Sequence, residues 1–233
     1  MATLYVVGTP IGNLEDITLR AMRVLGSVNV ILCEDTRMTK RLLSKHDIHT
    51  ATLSYHAHSK MSRVEDILSM LREGKDIALV SDAGTPGISD PGAELVSRVR
   101  ADLVDLLVSG SLKIESVPGP SALTAALSIA GVPCARFAFL GFLPHKKGRE
   151  TLFKEIAAAE ITYVFYESPH RILKTLQSLA EHAPSKKVTV CRELTKVFEQ
   201  VVAGTAAELV AHFAAHADTV RGEFVVIVSE TKI

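Results

Sequence analysis

Two loops rich in glycine and proline each follow a short apolar run within the first 92 residues. The first, residues 8–13, reads GTPIGN, and the second, residues 81–92, reads SDAGTPGISDPG. Glycine lets a backbone approach a ligand closely, and proline fixes the shape of a loop. Ligands of open α/β sheets bind at the carboxyl ends of the strands. The two loops therefore predict a pocket for a small molecule.

Acidic side chains stand at the same predicted strand ends. Asp82 directly follows a strand, where its carboxylate would accept hydrogen bonds from an amine or a ribose hydroxyl of a ligand. Capping of the local turn is its alternative role. Asp90 precedes a proline, so we expect it to cap the next helix. The two aspartates have no third carboxylate at suitable spacing, and we therefore expect no metal site.

Glu34 and Asp35 end the second predicted strand and are candidates for a general base. Two like charges close together would raise the pKa of one carboxyl group, which would make that group a better base. The alternative is structural: a cap on the helix predicted over residues 36–45, together with a salt bridge.

The first loop also resembles part of a dinucleotide site, which would make the protein a nicotinamide-dependent oxidoreductase. That fingerprint is G-x-G-x-x-G with an acid about 20 residues later. Glu34 and Asp35 fit the acid, but the glycines are spaced G-x-x-x-G and Pro10 lies between them. The oxidoreductase remains an alternative, as does a tight strand–helix turn without a ligand.

Apolar runs alternate with amphipathic stretches along the chain, which is typical of α/β domains with mostly parallel sheets. The predicted strands cover residues 3–8, 28–33, 77–80, 114–117, 137–140, 162–166, 187–191 and 224–229. The predicted helices cover residues 17–25, 36–45, 62–73, 91–100, 121–130, 149–158, 169–181 and 206–216, and three of them stop at Gly26, Gly74 and Gly131. The turn VPGPSA, residues 117–122, favours two domains, residues 1–115 and 116–233.

Composition narrows the class of protein. Of 233 residues, 47% are apolar, and no apolar run approaches the roughly 18 residues of a membrane span. The N-terminus has no basic segment of the kind that opens a signal peptide. The three cysteines are far apart and form no CxxC motif, which is typical of reduced thiols. We expect a cytoplasmic protein without a membrane contact.

Positive charge is concentrated although the net charge is zero. The stretch from Arg37 to Arg63 contains six basic residues and one acidic residue, Asp47. Arg37, Arg41 and Lys45 recur every four residues, on one face of a predicted helix, with Lys40 alongside. Such asymmetry indicates contact with a polyanion. A basic loop, HKKGR at residues 145–149, and Arg171 are further candidates, and a solvated helix face is the alternative.

Seven motifs occur in order across nearly the whole chain: GTPIGN, CEDTR, SDAGTPGISDPG, VPGPSA, GFLP, FYESPHR and RELTK. In this series the chain resembles the tetrapyrrole-methylase superfamily of S-adenosylmethionine enzymes. CEDTR, residues 33–37, and FYESPHR, residues 165–171, resemble a branch that acts on ribosomal RNA rather than on porphyrins. A small-molecule methyltransferase of the tetrapyrrole type, and a cofactor-binding protein without catalysis, remain alternatives.

The resemblance implies two α/β domains of the class III methyltransferase type, with S-adenosyl-L-methionine in the cleft between them, and a homodimer. It implies 2′-O-methylation of a decoding-site cytidine in 16S rRNA of the small ribosomal subunit. Members usually continue into a helical C-terminal extension, which we expect to be absent here. The cofactor contacts carried over by motif are Pro10, Asp82, Thr85, Gly87, Ser121, Ala122, Tyr166 and Glu167.

Methyl transfer to a ribose hydroxyl needs a base, because the hydroxyl loses its proton as it attacks. The candidates lie at predicted strand ends or in the loops that follow: Glu34, Asp35, His56 and Glu167. His56 and His58 could instead line an RNA cleft or lie in a solvated loop. The residues expected to contact RNA phosphates are Arg37, Lys40, Arg41, Lys45, Lys146, Lys147, Arg149 and Arg171.

Overall fold

The computed structural model describes residues 1–56, 61–90 and 92–230. The chain forms two compact units, Met1–Ser121 and Ala122–Ile233, and each contains a five-stranded sheet. The division expected after residue 115 falls inside the strand Leu112–Val117. That strand pairs along its whole length with Ala2–Val7, so it belongs to the first sheet.

Strands and helices alternate in the first unit. Its strands are β1 (Ala2–Val7), β2 (Val30–Cys33), β3 (Thr52–Ser54), β4 (Ile77–Leu79) and β5 (Leu112–Val117). Its helices are α1 (Leu19–Ser27), α2 (Thr36–Lys45), α3 (Met61–Arg72), α4 (Gly92–Asp102) and α5 (Val104–Val108). The strands are parallel and stand in the order β3-β2-β4-β1-β5.

Side chains of β4 alternate between two apolar clusters of the first unit. Ile77 and Leu79 pack in the cluster that contains residues of α3 and α4, whereas Ala78 packs in the cluster of α1 and α2. Helices therefore cover both faces of the sheet. This is why a parallel strand here reads as a continuous apolar run rather than as an alternating one.

The strand order places three loops side by side. β1 lies between β4 and β5, and the three strands are parallel, so their carboxyl ends share one edge of the sheet. The loops GTPIGN, SDAGTPGISDPG and VPGPSA all leave from that edge. The expectation that the first two loops follow buried parallel strands is confirmed.

The second unit contains a mixed sheet. Its strands are β6 (Phe137–Phe142), β7 (Thr162–Glu167), β8 (Lys187–Arg192), β9 (Gln200–Thr205) and β10 (Phe224–Ser229), and its helices are α6 (Ala122–Ile129), α7 (Arg149–Ala158), α8 (Ile172–His182) and α9 (Ala206–Ala215). In the order β6-β7-β10-β8-β9, the pair β6–β7 is parallel and the other pairs are antiparallel. The prediction of a mostly parallel sheet is therefore wrong for this unit.

Connection length explains the antiparallel pair β8–β9. Only residues 193–199 join the two strands, and this is too short for the crossover of a dozen or more residues that parallel pairing needs. β9 is an edge strand whose residues alternate between half-buried and exposed, so it lacks an apolar run of the kind that predicts a strand. β3, an edge strand of three residues, is likewise absent from the predicted strands.

Large apolar side chains fill the core of the second unit. Phe153 of α7, Leu176 of α8 and Phe213 of α9 pack with residues of β7, β8 and β10. α6 lies against β10. No helix in the described parts of the chain is long and apolar enough to cross a membrane.

Two of the three predicted helix stops are confirmed. Gly74 and Gly131 follow α3 and α6 with φ of +85° and +60°, a conformation that glycine adopts without a steric penalty. Gly26 lies inside α1, which ends at Ser27, so that prediction is wrong. The cysteines Cys33, Cys134 and Cys191 are free thiols.

Candidate active site

The loops after β1, β4 and β5 are joined by hydrogen bonds at the carboxyl edge of the first sheet. Thr9 N donates to Gly84 O at 2.9 Å, and Gly84 N donates to Thr9 O at 3.1 Å. The Thr85 hydroxyl donates to Pro120 O at 3.2 Å. Three motifs that are distant in the sequence thus form one continuous surface of loops.

Gly8 and Gly119 bring the first and third loops into backbone contact. A Cβ atom added at Gly8 would lie 2.8 Å from the Gly119 Cα, and one added at Gly119 would lie 2.7 Å from the Gly8 carbonyl oxygen. Real Cβ atoms do not approach backbone atoms so closely. The amide of Gly8 also donates to Val117 O at 3.0 Å. Glycine is therefore required at both positions for the loops to meet.

The predicted cofactor contacts of the first unit differ in exposure. Asp82 is exposed, Thr85 and Gly87 are half-buried, and Pro10 is buried. Gly87 has φ of +82°, which strains any residue with a Cβ. Pro10 therefore shapes the loop from within, whereas Asp82 lies at the surface. Ser121 precedes α6 and Ala122 is its first residue.

Two carboxylates join the end of β2 to the loop after β4. Asp82 Oδ1 accepts from the Asp35 amide at 3.0 Å, and the Glu34 carboxylate accepts from the Asp82 amide. Partial burial of Glu34 raises the pKa of its carboxyl group, and the charges of Asp90 and Asp82 raise it further. Burial likewise raises the pKa of Asp90. Glu34 is thus a carboxylate with a stronger affinity for protons than usual.

Asp35 has a structural role, because it caps α2 and forms a salt bridge, which is the alternative given for it above. Its side chain accepts from the Arg37 amide at 2.8 Å as the N-cap of α2, and it forms a salt bridge of 2.6 Å with the Arg37 guanidinium. These hydrogen bonds lower the pKa of Asp35 to about 2, which makes it a poor base. The charges that raise the pKa of Glu34 are those of Asp90 and Asp82, which lie in the loop after β4.

The predicted basic face of α2 is present. Arg37, Lys40, Arg41 and Lys45 are all exposed, while Leu42 and Leu43 on the other side of the helix are buried. The helix begins two residues after Glu34, so its basic face starts beside the loops described above. Arg37 already pairs with Asp35. Its charge is therefore less available to an anion than that of Arg41.

His56 follows β3 and is exposed. The preceding residue, Tyr55, donates its amide to Cys33 O at 2.8 Å, so the backbone just before His56 lies beside the carboxyl end of β2. His58 and Lys60 of the basic stretch, and Pro91 before α4, lie outside the described residues.

In the second unit, the FYESPHR motif covers the end of β7 and the turn into α8. Glu167 is buried, and its Oε2 accepts from the Thr175 hydroxyl at 2.6 Å while its Oε1 accepts from the Ser168 amide at 2.9 Å. Its side chain is 0% exposed, so a substrate hydroxyl in solvent does not reach it. The structure therefore does not favour Glu167 as the base.

Two arginines predicted to contact RNA are held inside the second unit. Arg149 is buried and donates to Thr175 Oγ1 at 2.6 Å. Arg171 is largely buried, donates to Leu143 O at 2.6 Å and lies 3.3 Å from Glu167 Oε1. Their guanidinium groups are engaged with protein atoms, so the prediction that they bind phosphates is corrected. Lys146 and Lys147 are exposed, as expected.

Tyr166 is half-buried beside two aromatic rings of the neighbouring strand. Its ring centre lies 5.0 Å from that of Phe139 and 5.6 Å from that of Phe142, both edge to face. Such pairs fix ring orientation and add about 0.5–1.5 kcal/mol beyond apolar burial. Phe142 remains 58% exposed, so the cluster leaves an aromatic surface open.

The first-unit loops fit the chemistry of S-adenosylmethionine, which carries an amino acid, a ribose and an adenine. The exposed Asp82 and the half-buried Glu34 offer acceptors to ammonium and hydroxyl groups. The exposed Ile88 of the same loop offers apolar surface to a base. Among the described residues, no group of three His, Cys, Asp or Glu side chains is arranged to hold a metal ion.

We predict that Gly119→Ala destabilises the protein by about 1–3 kcal/mol, the usual cost of overpacking. The new methyl group would overlap the Gly8 carbonyl and push the loops apart. Because these loops are the predicted cofactor contacts, the affinity for S-adenosylmethionine should also fall. Gly26→Ala is the matched control, because a Cβ there meets no atom within 4 Å. Thermal unfolding measures the loss of stability, and calorimetric titration with S-adenosylmethionine measures the loss of affinity. If Gly119→Ala changes neither quantity, the close contact between Gly8 and Gly119 is wrong.

Comparison with known sequences supports the motif resemblance. The model of the family "Tetrapyrrole (Corrin/Porphyrin) Methylases" matches residues 3–210. A protein of Thermotoga maritima named ribosomal RNA small subunit methyltransferase I is 43% identical over 213 residues, which are 91% of this chain and 92% of that one. A protein of the same name from Halalkalibacterium halodurans is 46% identical over 227 residues, 97% of this chain and 75% of that one.

Solved structures share the fold at low sequence identity. The methyltransferase CobJ is 19% identical with a TM-score of 0.71, over 99% of this chain and 95% of that one. A uroporphyrin-III-C-methyltransferase from Thermus thermophilus is 19% identical with a TM-score of 0.65, over 98% of this chain and 94% of that one. The predicted fold class is confirmed. The chain belongs to the tetrapyrrole methylase family and is an S-adenosylmethionine-dependent methyltransferase.

Proposed function

We propose that the protein transfers the methyl group of S-adenosylmethionine to the ribose 2′-hydroxyl of a decoding-site cytidine in 16S rRNA of the small ribosomal subunit. The names of the relatives support the substrate class, and the motif resemblance supports the sugar and the nucleotide. The observation that carries the proposal is the exposed basic face of α2, which begins two residues after Glu34. A helix face with four cationic side chains suits an extended polyanion such as RNA.

S-adenosylmethionine supplies an electrophilic methyl group whose leaving group is a neutral thioether. The chain must hold the acceptor hydroxyl in line with that group, and positioning of this kind supplies much of the rate of a displacement. It must also remove the hydroxyl proton. We assign that step to Glu34, because its raised pKa brings its basicity closer to what a base needs near neutral pH.

Exposed basic side chains in both units are the expected contacts to RNA. We assign phosphate binding to Lys40, Arg41 and Lys45 on α2 and to Lys146 and Lys147 in the second unit, all of them exposed. RNA is commonly recognised through its backbone and shape rather than through base edges. The homodimer implied by the motif resemblance stays a prediction.

The direct test is methyl incorporation into small subunits isolated from cells that lack the modification. With isotopically labelled S-adenosylmethionine, we expect one labelled nucleoside, a cytidine methylated on its ribose, mapped to the decoding site. Label on a base, or no label in any RNA, would contradict the proposal. Turnover of a porphyrinoid would favour the small-molecule alternative, and binding of NAD(H) instead of S-adenosylmethionine would favour the oxidoreductase.

Glu34→Gln should lower the methylation rate by about 10²–10⁴-fold, the usual contribution of a general base. In the unmodified protein, the raised pKa means that the carboxylate form of Glu34 is lost at a higher pH than for an ordinary glutamate. The rate should therefore rise with pH through that raised pKa, and the glutamine variant should lack this rise.

Asp35→Asn is the matched control for Glu34→Gln. Asparagine also caps helices, so it keeps the hydrogen bond to the Arg37 amide while removing the neighbouring charge. We expect this variant to keep the rising limb of the pH–rate profile. If Asp35→Asn loses the rise of the rate with pH and Glu34→Gln keeps it, the assignment of the base to Glu34 is wrong.

Arg41→Ala should weaken binding of the small subunit and leave the affinity for S-adenosylmethionine unchanged. Each lost phosphate contact should reduce the slope of log affinity against log salt by about one. Arg37→Ala should have a smaller effect, since Arg37 is paired with Asp35.

Arg23→Ala is the control for Arg41→Ala, because Arg23 is an exposed arginine on α1. Filter binding across a salt series measures all three variants. Equal losses for Arg23→Ala and Arg41→Ala would mean that overall charge, and not the face of α2, attracts the RNA.

A further inference from the structure

Glu167 lies at the centre of a buried polar cluster in the second unit. Its side chain is 0% exposed, and its two oxygens accept hydrogen bonds from Thr175 and Ser168. The guanidinium of Arg171 lies 3.3 Å from Oε1, and that of Arg149 lies 3.9 Å from Oε2. A buried charge is tolerated only when it is paired and hydrogen-bonded, and this cluster meets that condition.

The two arginines use their remaining donors on one short segment of backbone. Arg171 Nη2 donates to Leu143 O at 2.6 Å and contacts Pro144 O at 3.3 Å. Arg149 Nη1 donates to Pro144 O at 3.2 Å. Charged donors make stronger hydrogen bonds than neutral ones. The carbonyls that end the GFLP motif are therefore firmly held.

That segment leads into the basic loop. Because Arg149 is buried and begins α7, the loop from here on means residues 145–148 only. Its side chains His145, Lys146 and Lys147 are exposed, and it ends at Gly148, which precedes α7 with φ of +81°. Pro144 comes directly before the loop and Arg149 directly after it. One cluster thus anchors both ends of the loop while the lysines between them face solvent.

We propose that Glu167, Thr175, Arg149 and Arg171 are positioning residues that hold the basic loop in the shape that binds rRNA phosphates. This inference rests on the proposed function. In this proposal the cluster acts through the loop. Glu167, a cofactor contact by the motif resemblance, has a side chain that is 0% exposed, so we expect it to act on the loop and not on the cofactor directly. A loop that is already ordered loses less conformational entropy on binding than a free one, so the cluster raises the affinity for the small subunit.

Thr175→Val tests the cluster, because it removes the hydroxyl that joins Arg149 to Glu167 and nearly preserves the side-chain shape. Thr175→Ser keeps the hydroxyl and is the matched control. Arg171→Gln is a second variant at a less buried site, for use if Thr175→Val folds poorly. Two readouts are measured: amide hydrogen exchange of residues 143–149, and affinity for small subunits and for S-adenosylmethionine.

We expect Thr175→Val and Arg171→Gln to speed exchange in residues 143–149 and to weaken subunit binding by about tenfold, as for loss of one hydrogen bond to a charged group. The affinity for S-adenosylmethionine should change less than twofold. Thr175→Ser should leave both the exchange rates and the affinity for small subunits as in the unmodified protein. Unchanged exchange would overturn the proposal. A loss confined to cofactor affinity would also overturn it, since the cluster would then belong to the cofactor site.

A double-mutant comparison separates positioning from general destabilisation. In a Lys146→Ala, Lys147→Ala background, Thr175→Val should cause no further loss of subunit affinity, because the side chains it positions are gone. An undiminished further loss would contradict action through the loop. If the unmodified protein fails to methylate small subunits, the proposed function fails, whereas the exchange measurement still decides whether the cluster orders the loop.

Discussion

The contact between Gly8 and Gly119 is the constraint on which the first unit's site depends. The loops after β1 and β5 pass so closely that a Cβ on either residue would overlap the other backbone. Because the loops meet there, Thr85 reaches Pro120 O and Thr9 bridges to Gly84. This loop surface is therefore made of backbone packed against backbone, and a few polar side chains project from it.

Electrostatics then separates two neighbouring acids that look alike in sequence. Asp35 gives its carboxylate to the N-terminus of α2 and to Arg37, which keeps it ionised. Glu34 is partly desolvated and stands near Asp82 and Asp90, which favours its protonated form. One acid starts the basic helix and the other is suited to exchange a proton. Paired titratable groups with opposite shifts commonly mark such a division of roles.

Much of the fold was predictable because parallel strands buried on both faces leave a strong apolar signal, as in β1 and β4. The apolar pattern does not predict the edge strands β3 and β9, because β3 has only three residues and β9 alternates between half-buried and exposed residues. The prediction that Gly26 ends a helix is wrong because glycine is tolerated inside a helix whose other residues pack well. The sequence HKKGR predicts one role for Lys146, Lys147 and Arg149, because it does not show that Arg149 begins α7 and is buried.

We expect the methyl donor to bind the loops that Gly8 and Gly119 bring together. A crystal structure of the protein with S-adenosylhomocysteine would decide this. The ligand is expected to contact the loops after β1 and β4, with the Asp82 carboxylate within hydrogen-bonding distance of it. A ligand bound elsewhere on the chain, with these loops left free, would show that the methyl donor has another site.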